Sequence, residues 1–191
     1  MFHRDARLGI PSAFVAACGT APPSGYASNF TDCDDSTAQA RPGGTEYAGD
    51  EIDGNCDGTE VCFLDDDNDG YLTGQIVLSS DTDCADSGEG RFTEPAGDCC
   101  DQNADARPGQ TLFFSVSNGC GGYDYNCDGI HTQQFTQVST TTLACGGSPP
   151  FCVDLGTGWV TSVAFCGVTA NYRDCSSTCG TTIFPLTQPC R

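Results

Sequence analysis

Fifteen cysteines in 191 residues constrain this chain more than any other feature. Cysteine at that density belongs to an oxidising compartment, where it forms a disulfide framework that takes over much of the work of a hydrophobic core. The rest of the composition agrees. Twenty-four glycines, ten prolines and 26 acidic residues stand beside seven basic ones, none of them lysine. A reduced zinc protein is the other cysteine-rich possibility. The chain has only two histidines and no CxxC pair, so zinc-ligand spacing is missing.

The cysteines are distributed by an internal repeat. Cys18, Tyr26, Asp32-Cys33, Asp35 and Arg41-Pro42-Gly43 return 66 residues later as Cys84, Phe92, Asp98-Cys99, Asp101 and Arg107-Pro108-Gly109. Asp53-x-Asn55-Cys56-Asp57-Gly58 returns 71 residues later as Asp124-x-Asn126-Cys127-Asp128-Gly129, so the second copy carries a five-residue insertion. Equivalent positions predict equivalent bridges, Cys33 to Cys56 and Cys99 to Cys127. Cys100 and Cys120 occur in the second copy alone and are expected to bond to each other. Cys62 and Cys84 then pair around the linker. The partner of Cys18 would fall upstream of residue 1, which leaves Cys18 free or bonded to another subunit. Six tail cysteines, Cys145, Cys152, Cys166, Cys175, Cys179 and Cys190, form three bridges among fifteen possible sets.

A formal charge of −19 requires that the carboxylates face dilute solvent or hold cations. Between the copies runs Asp65-Asp66-Asp67-Asn68-Asp69-Gly70-Tyr71. Side-chain oxygens at alternate positions, a turning glycine and a following carbonyl are how a calcium loop opens, so Asp65, Asp67, Asp69 and the Tyr71 carbonyl are candidate ligands. Ile76 stands where an EF-hand carries its last carboxylate, so further ligands must come from elsewhere. Asp32, Asp34, Asp35, Glu46, Asp53, Asn55 and Asp57 form a second candidate set. Asp98, Asp101, Asp124, Asn126 and Asp128 form a third, which has lost two oxygens. The plain alternative is that Asp and Asn before Gly only make turns. Mutual repulsion argues for an ion at the densest run. Calcium fits irregular oxygen ligands better than magnesium. Copper would want histidine, methionine or thiolate, and only His3, His131 and Met1 are offered.

Other classes are excluded. No basic patch suits nucleic acid, no apolar run spans a bilayer, and no nucleophile sits beside a base. The start of the chain lacks the apolar stretch of a signal peptide, so secretion requires that one was removed or that this is a fragment. Gly74 to Leu78, Leu112 to Val116, Gln134 to Leu143 and Trp159 to Phe165 are the predicted strands. Asn29-Phe30-Thr31 is a glycan acceptor if the source is eukaryotic.

The opening Asp32-Cys33-Asp34-Asp35, the Pro42-Gly43 turn, Glu46 and the closing Asp53-x-Asn55-Cys56-Asp57-Gly58 resemble a metal-binding repeat family. It is found in secreted proteins of myxobacteria and related bacteria, and its named relative is a copper-binding surface protein of a methanotroph. The second copy departs from the pattern by Cys100 in place of Asp34 and Leu112 near the place of Glu46. The linker is similar to a thrombospondin type 3 calcium loop. The closing segment, from Gly158-Trp159 to Pro189-Cys190-Arg191, resembles the tail module appended to such repeats. These resemblances imply metal binding and secretion.

The expected fold is small disulfide-rich, calcium-stabilised repeats with little regular secondary structure, short β-strands or hairpins, and a small C-terminal β module. The expected divisions are 1–24, a remnant of a preceding repeat linker; 25–61, the first repeat; 62–91, the calcium-loop linker; 92–130, the second repeat; and 131–191, a cysteine-rich module. The expected function is a secreted or cell-surface calcium-binding structural or adhesive protein, not an enzyme. Its alternatives are a calcium-dependent carbohydrate- or protein-binding module, in which Tyr26, Tyr47, Tyr123, Tyr125, Trp159 and Tyr172 face a ligand unless they pack over disulfides, and a copper-binding surface protein. Expected partners are calcium ions, other subunits or self-association through Cys18, and a surface glycan or protein.

Overall fold

A computed structural model describes residues 33–34, 36–141, 145–176 and 178–191, together with the backbone of 3–4 and 26–27. Cys18, Asn29, Asp32 and Asp35 lie outside the described residues. The architecture is disulfide-rich, built of short strands and mostly non-helical. No helix among the described residues is long and apolar enough to cross a membrane. The chain divides into two compact units, Met1–Ala96 and Gly97–Arg191.

In the first unit, β1 (His3–Arg4) pairs with β2 (Tyr26–Ala27), and β3 (Val61–Asp65) lies between β4 (Ile76–Leu78) and β5 (Gly88–Gly90). The strand β3 organises the site. Side chains alternate along a strand, so the buried Cys62 shares a face with Glu60, which immediately precedes the strand, and the buried Asp65 closes it. Cys62 is bonded to Cys84 and Cys33 to Cys56. The Gly49 N–H donates to the Val61 carbonyl, laying the first repeat against β3.

In the second unit, Cys99 is bonded to Cys127 and Cys100 to Cys120. The four bridges expected from the repeat are therefore present. β6 (Cys145–Ser148) and β7 (Phe151–Asp154) form a hairpin, and β9 (Thr169–Cys175) lies between β8 (Gly158–Trp159) and β10 (Thr181–Thr187). The tail bridges are Cys145 to Cys175, Cys152 to Cys179 and Cys166 to Cys190. These seven bridges account for all fourteen cysteines among the described residues.

The predicted strands survive only in part. Ile76–Leu78 is a strand, but the runs around Phe114 and Val138 make isolated bridges, to Cys190 and Trp159 respectively. The long hairpin of β9 and β10 was not predicted. Pro185 falls within β10 and is tolerated because β10 is an edge strand.

Packing explains the aromatics. Trp159 and Tyr172 are buried together with Ala164, against Phe135 and Leu186, and the Trp159 indole donates to the Phe135 carbonyl. Tyr125 is buried and stacks on Phe114 at 4.0 Å between ring centroids. These three rings are therefore core residues and present no surface to a ligand.

Candidate metal centre

Three segments of the chain fold into one and the same loop. They are Asp53 to Gly58, Asp65 to Gly70 and Asp124 to Gly129, each an Asp-x-(Asp or Asn)-x-Asp-Gly sequence. In each, the first aspartate accepts the backbone N–H of the fifth residue on Oδ1 and of the sixth on Oδ2. The distances are 3.1 and 2.9 Å at Asp53, 3.1 and 3.1 Å at Asp65, and 3.2 and 2.8 Å at Asp124. The fifth residue, Asp57, Asp69 or Asp128, accepts the N–H two positions on. The fourth residue has a positive φ of 61°, 58° or 56° at Cys56, Asn68 and Cys127, and the closing glycine one of 90°, 80° or 83°. Only glycine holds that last conformation without strain. Sequence reasoning treated the linker loop and the repeat closings as different objects. Their shared spacing was the signal that they are one.

The linker loop is the most closely gathered. Asp65, Asp67 and Asp69 each offer a carboxylate oxygen within 4.8 Å of the others. Asp65 is buried at the end of β3, and Asn68 Oδ1 accepts the Gly88 N–H from β5, so the sheet fixes the loop from both sides. Tyr71 is placed beside it by its N–H bond to Asp69.

Among the described residues, the first-repeat set is not gathered into a single close group. Asp34 and Asp53 line a cleft of about 270 Å³, with Asp34 held low in pKa by hydrogen bonds from Ser36. Asp57 turns outward, its pKa lowered chiefly by the Thr59 hydroxyl and then by Asn55. Glu46 points inward. Its Oε1 accepts the Asn55 N–H at 2.5 Å, and its buried Oε2 has no hydrogen-bond partner. Burial raises its pKa, with Asp53, Asp57 and Asp50 adding to the rise against the Asn55 bond. Gly54 makes this fold possible, because a Cβ there would stand 2.6 Å from the Thr45 carbonyl.

Glu60 is the functional candidate that the sequence reading missed. It is fully buried, and no side-chain donor reaches either carboxylate oxygen. Burial, then Glu46 and Asp50, push its pKa up to about 7, with the Val61 N–H pulling weakly the other way. Its position two residues before Cys62, on the buried face of β3, was the available signal.

In the second repeat, Asp98, Cys99 and Cys127 lie close together. The two cysteines are joined in a disulfide and offer no thiolate, so this group supplies one hard ligand. Asp101 and Asp128 are not gathered with it among the described residues. Asn126 donates to Asp128, and its buried Oδ1 has no hydrogen-bond partner.

The sequence profile of the Cu-binding MopE metal-binding motif matches residues 32–60 and 98–131, one stretch in each copy of the internal repeat. The chain is distantly related to the MopE-type family. Its MopE-type repeats are small, disulfide-stabilised metal-binding modules of a non-catalytic kind. No curated protein and no solved structure matches the chain. Copper-type donors are not assembled here among the described residues. His131 Nε2 accepts the Tyr123 N–H, and every cysteine described is oxidised.

Proposed function

We propose that this is a secreted or cell-surface calcium-binding protein with a structural or adhesive role, in which repeats 25–61 and 92–130 are joined by the calcium-loop linker 62–91. The observation that carries the reading is the convergence of Asp65, Asp67 and Asp69 in a loop anchored by the sheet. Three carboxylates this close repel one another unless a cation lies among them. Oxygen ligands on an irregular loop suit calcium, which accepts six to eight ligands in loose geometry, better than magnesium or copper. Repetition of the same loop at Asp53 and Asp124 supports further ions in the repeats, with Asn55, Asp57, Asn126 and Asp128 as companions. Seven disulfides support secretion.

The binding-module alternative has one observation in its favour. A cavity of about 410 Å³ is lined by Tyr123, His131, Gln133 and the exposed Phe165. That combination of rings and amide would suit a sugar.

Asp67→Asn tests the main reading. It keeps the shape and removes one charged ligand, so calcium titration is expected to show one tight ion fewer and the remaining sites unchanged. An unchanged stoichiometry would remove the linker loop as a calcium site.

A further inference from the structure

The cavity of about 410 Å³ in the second unit is not a repeated feature of the chain. Tyr123 and His131 line it from the two ends of the Asp124 to Gly129 loop, and 71 residues earlier the first copy has Ile52 and Glu60 in their places. Gly121 and Gly122 lie in the stretch where the second copy carries its five-residue insertion, and Phe165 and Cys166 come from the tail. What the two metal-binding motifs share therefore does not account for it.

The walls of the cleft are fixed. The Tyr123 N–H donates to His131 Nε2 at 3.3 Å, and the two rings meet edge to face with centroids 6.2 Å apart. Both rings rest on glycine backbone. A Cβ on Gly167 would collide with the Tyr123 hydroxyl oxygen, and one on Gly122 would stand 2.5 Å from His131 Nε2. Phe165 is 77% exposed, yet its backbone is pinned on every side. Its carbonyl accepts the Val168 N–H, the preceding Ala164 carbonyl accepts the Gln133 amide, and the following Cys166 is bonded to Cys190. A single exposed ring is ordinary on a protein surface. One set beside two more rings and a cavity of ligand size is not.

The chemistry of the lining selects the ligand. Among the described residues that line the cleft there is no aspartate, glutamate or arginine, although the chain carries 26 acidic residues and a formal charge of −19. A cation finds no carboxylate there and an anion no counter-charge, and the field of the whole chain repels anions. The cleft offers three rings, the Tyr123 hydroxyl, the His131 imidazole and the Gln133 amide, polar groups that both donate and accept. A pyranose matches this set, because one face carries C–H groups that pack on an aromatic ring and its hydroxyls both donate and accept.

We infer that this cleft binds a neutral saccharide, with the Phe165 ring as the stacking platform and Tyr123, His131 and Gln133 as hydrogen-bonding partners. The inference rests on the binding-module reading and gives it a site and a charge class of ligand. None of the candidate calcium ligands takes part.

The test uses the full chain with its disulfides intact and calcium present throughout. Neutral oligosaccharides of glucose, galactose, mannose and xylose are titrated by NMR, with uronic-acid oligosaccharides of the same length as the charged comparison. At least one neutral member is expected to shift the ring signals of Tyr123, His131 and Phe165, and Phe165→Ala is expected to weaken its binding about tenfold or more. Phe151→Ala, which removes another exposed ring of the same unit, is expected to bind as the parent does. No shift with any neutral member at about 10 mM overturns the inference. So do shifts confined to other residues, binding by the uronic acids alone, or binding that Phe165→Ala leaves unchanged. A protein that binds a saccharide through these rings but holds no calcium keeps this inference and loses the calcium reading, and calcium without saccharide does the reverse.

Discussion

Stripping calcium with a chelator, with all seven disulfides left oxidised, is expected to lower the melting temperature by roughly 10–20 °C. The estimate follows from linkage. Each ion bound only by the folded chain, at about a hundred times its dissociation constant, contributes ~2.7 kcal/mol. For a chain of this size, 1 kcal/mol moves the midpoint by ~2–4 °C, and two occupied sites give the range. The physical source is local. Without the ion, Asp65, Asp67 and Asp69 repel across less than 4.8 Å, and the loop is held by hydrogen bonds such as those to the Asp65 carboxylate and from Gly88 to Asn68. Far less change than this, measured by calorimetry on chelated and calcium-loaded protein, would mean that those N–H bonds hold the loops unaided. Readdition of calcium is expected to restore the midpoint, which separates ion loss from damage by the chelator.

The second large effect belongs to the second repeat. Replacing Cys100 and Cys120 together by serine opens a loop of sequence separation 20, and the chain-entropy argument gives a loss of about 3 kcal/mol. Cys100 is buried with Ala106 and Tyr125, so the polar replacement also disturbs that cluster. Calcium is not expected to rescue this variant, because Cys100 stands where the first repeat has the carboxylate of Asp34. Urea denaturation at two calcium concentrations checks both statements. A loss below about 1 kcal/mol would show that the stack of Phe114 on Tyr125 already orders the insertion.

Most of the framework was legible because the sequence repeats. Cys33 and Cys56 occupy the same places as Cys99 and Cys127, and Cys100 and Cys120 enter together, so those pairings needed no coordinates. The six tail cysteines have no second copy to be compared with, and their pairing depends on how β9 and β10 place Cys175, Cys179 and Cys190. That hairpin was missed because Pro185 reads as a strand breaker until β10 is known to be an edge strand. At the candidate site, the alternation of Asp65, Asp67 and Asp69 was visible directly. The equivalence of this loop to those at Asp53 and Asp124 was hidden by asparagine at the third position and cysteine at the fourth. Glu60 could not be found from motif spacing, since its importance comes from burial beside β3. Asp57 enters the ligand set by its spacing, and its carboxylate accepts from the Thr59 hydroxyl, a bond that an Asp-x-Thr turn can make.

The central claim is that this chain carries calcium as part of its fold, and the most direct measurement is the mass of the intact native protein purified without any chelator. The account predicts two to four tightly bound calcium ions per chain, released on acid denaturation. Fewer than one calcium per chain, or a stoichiometric complement of copper in its place, would contradict it.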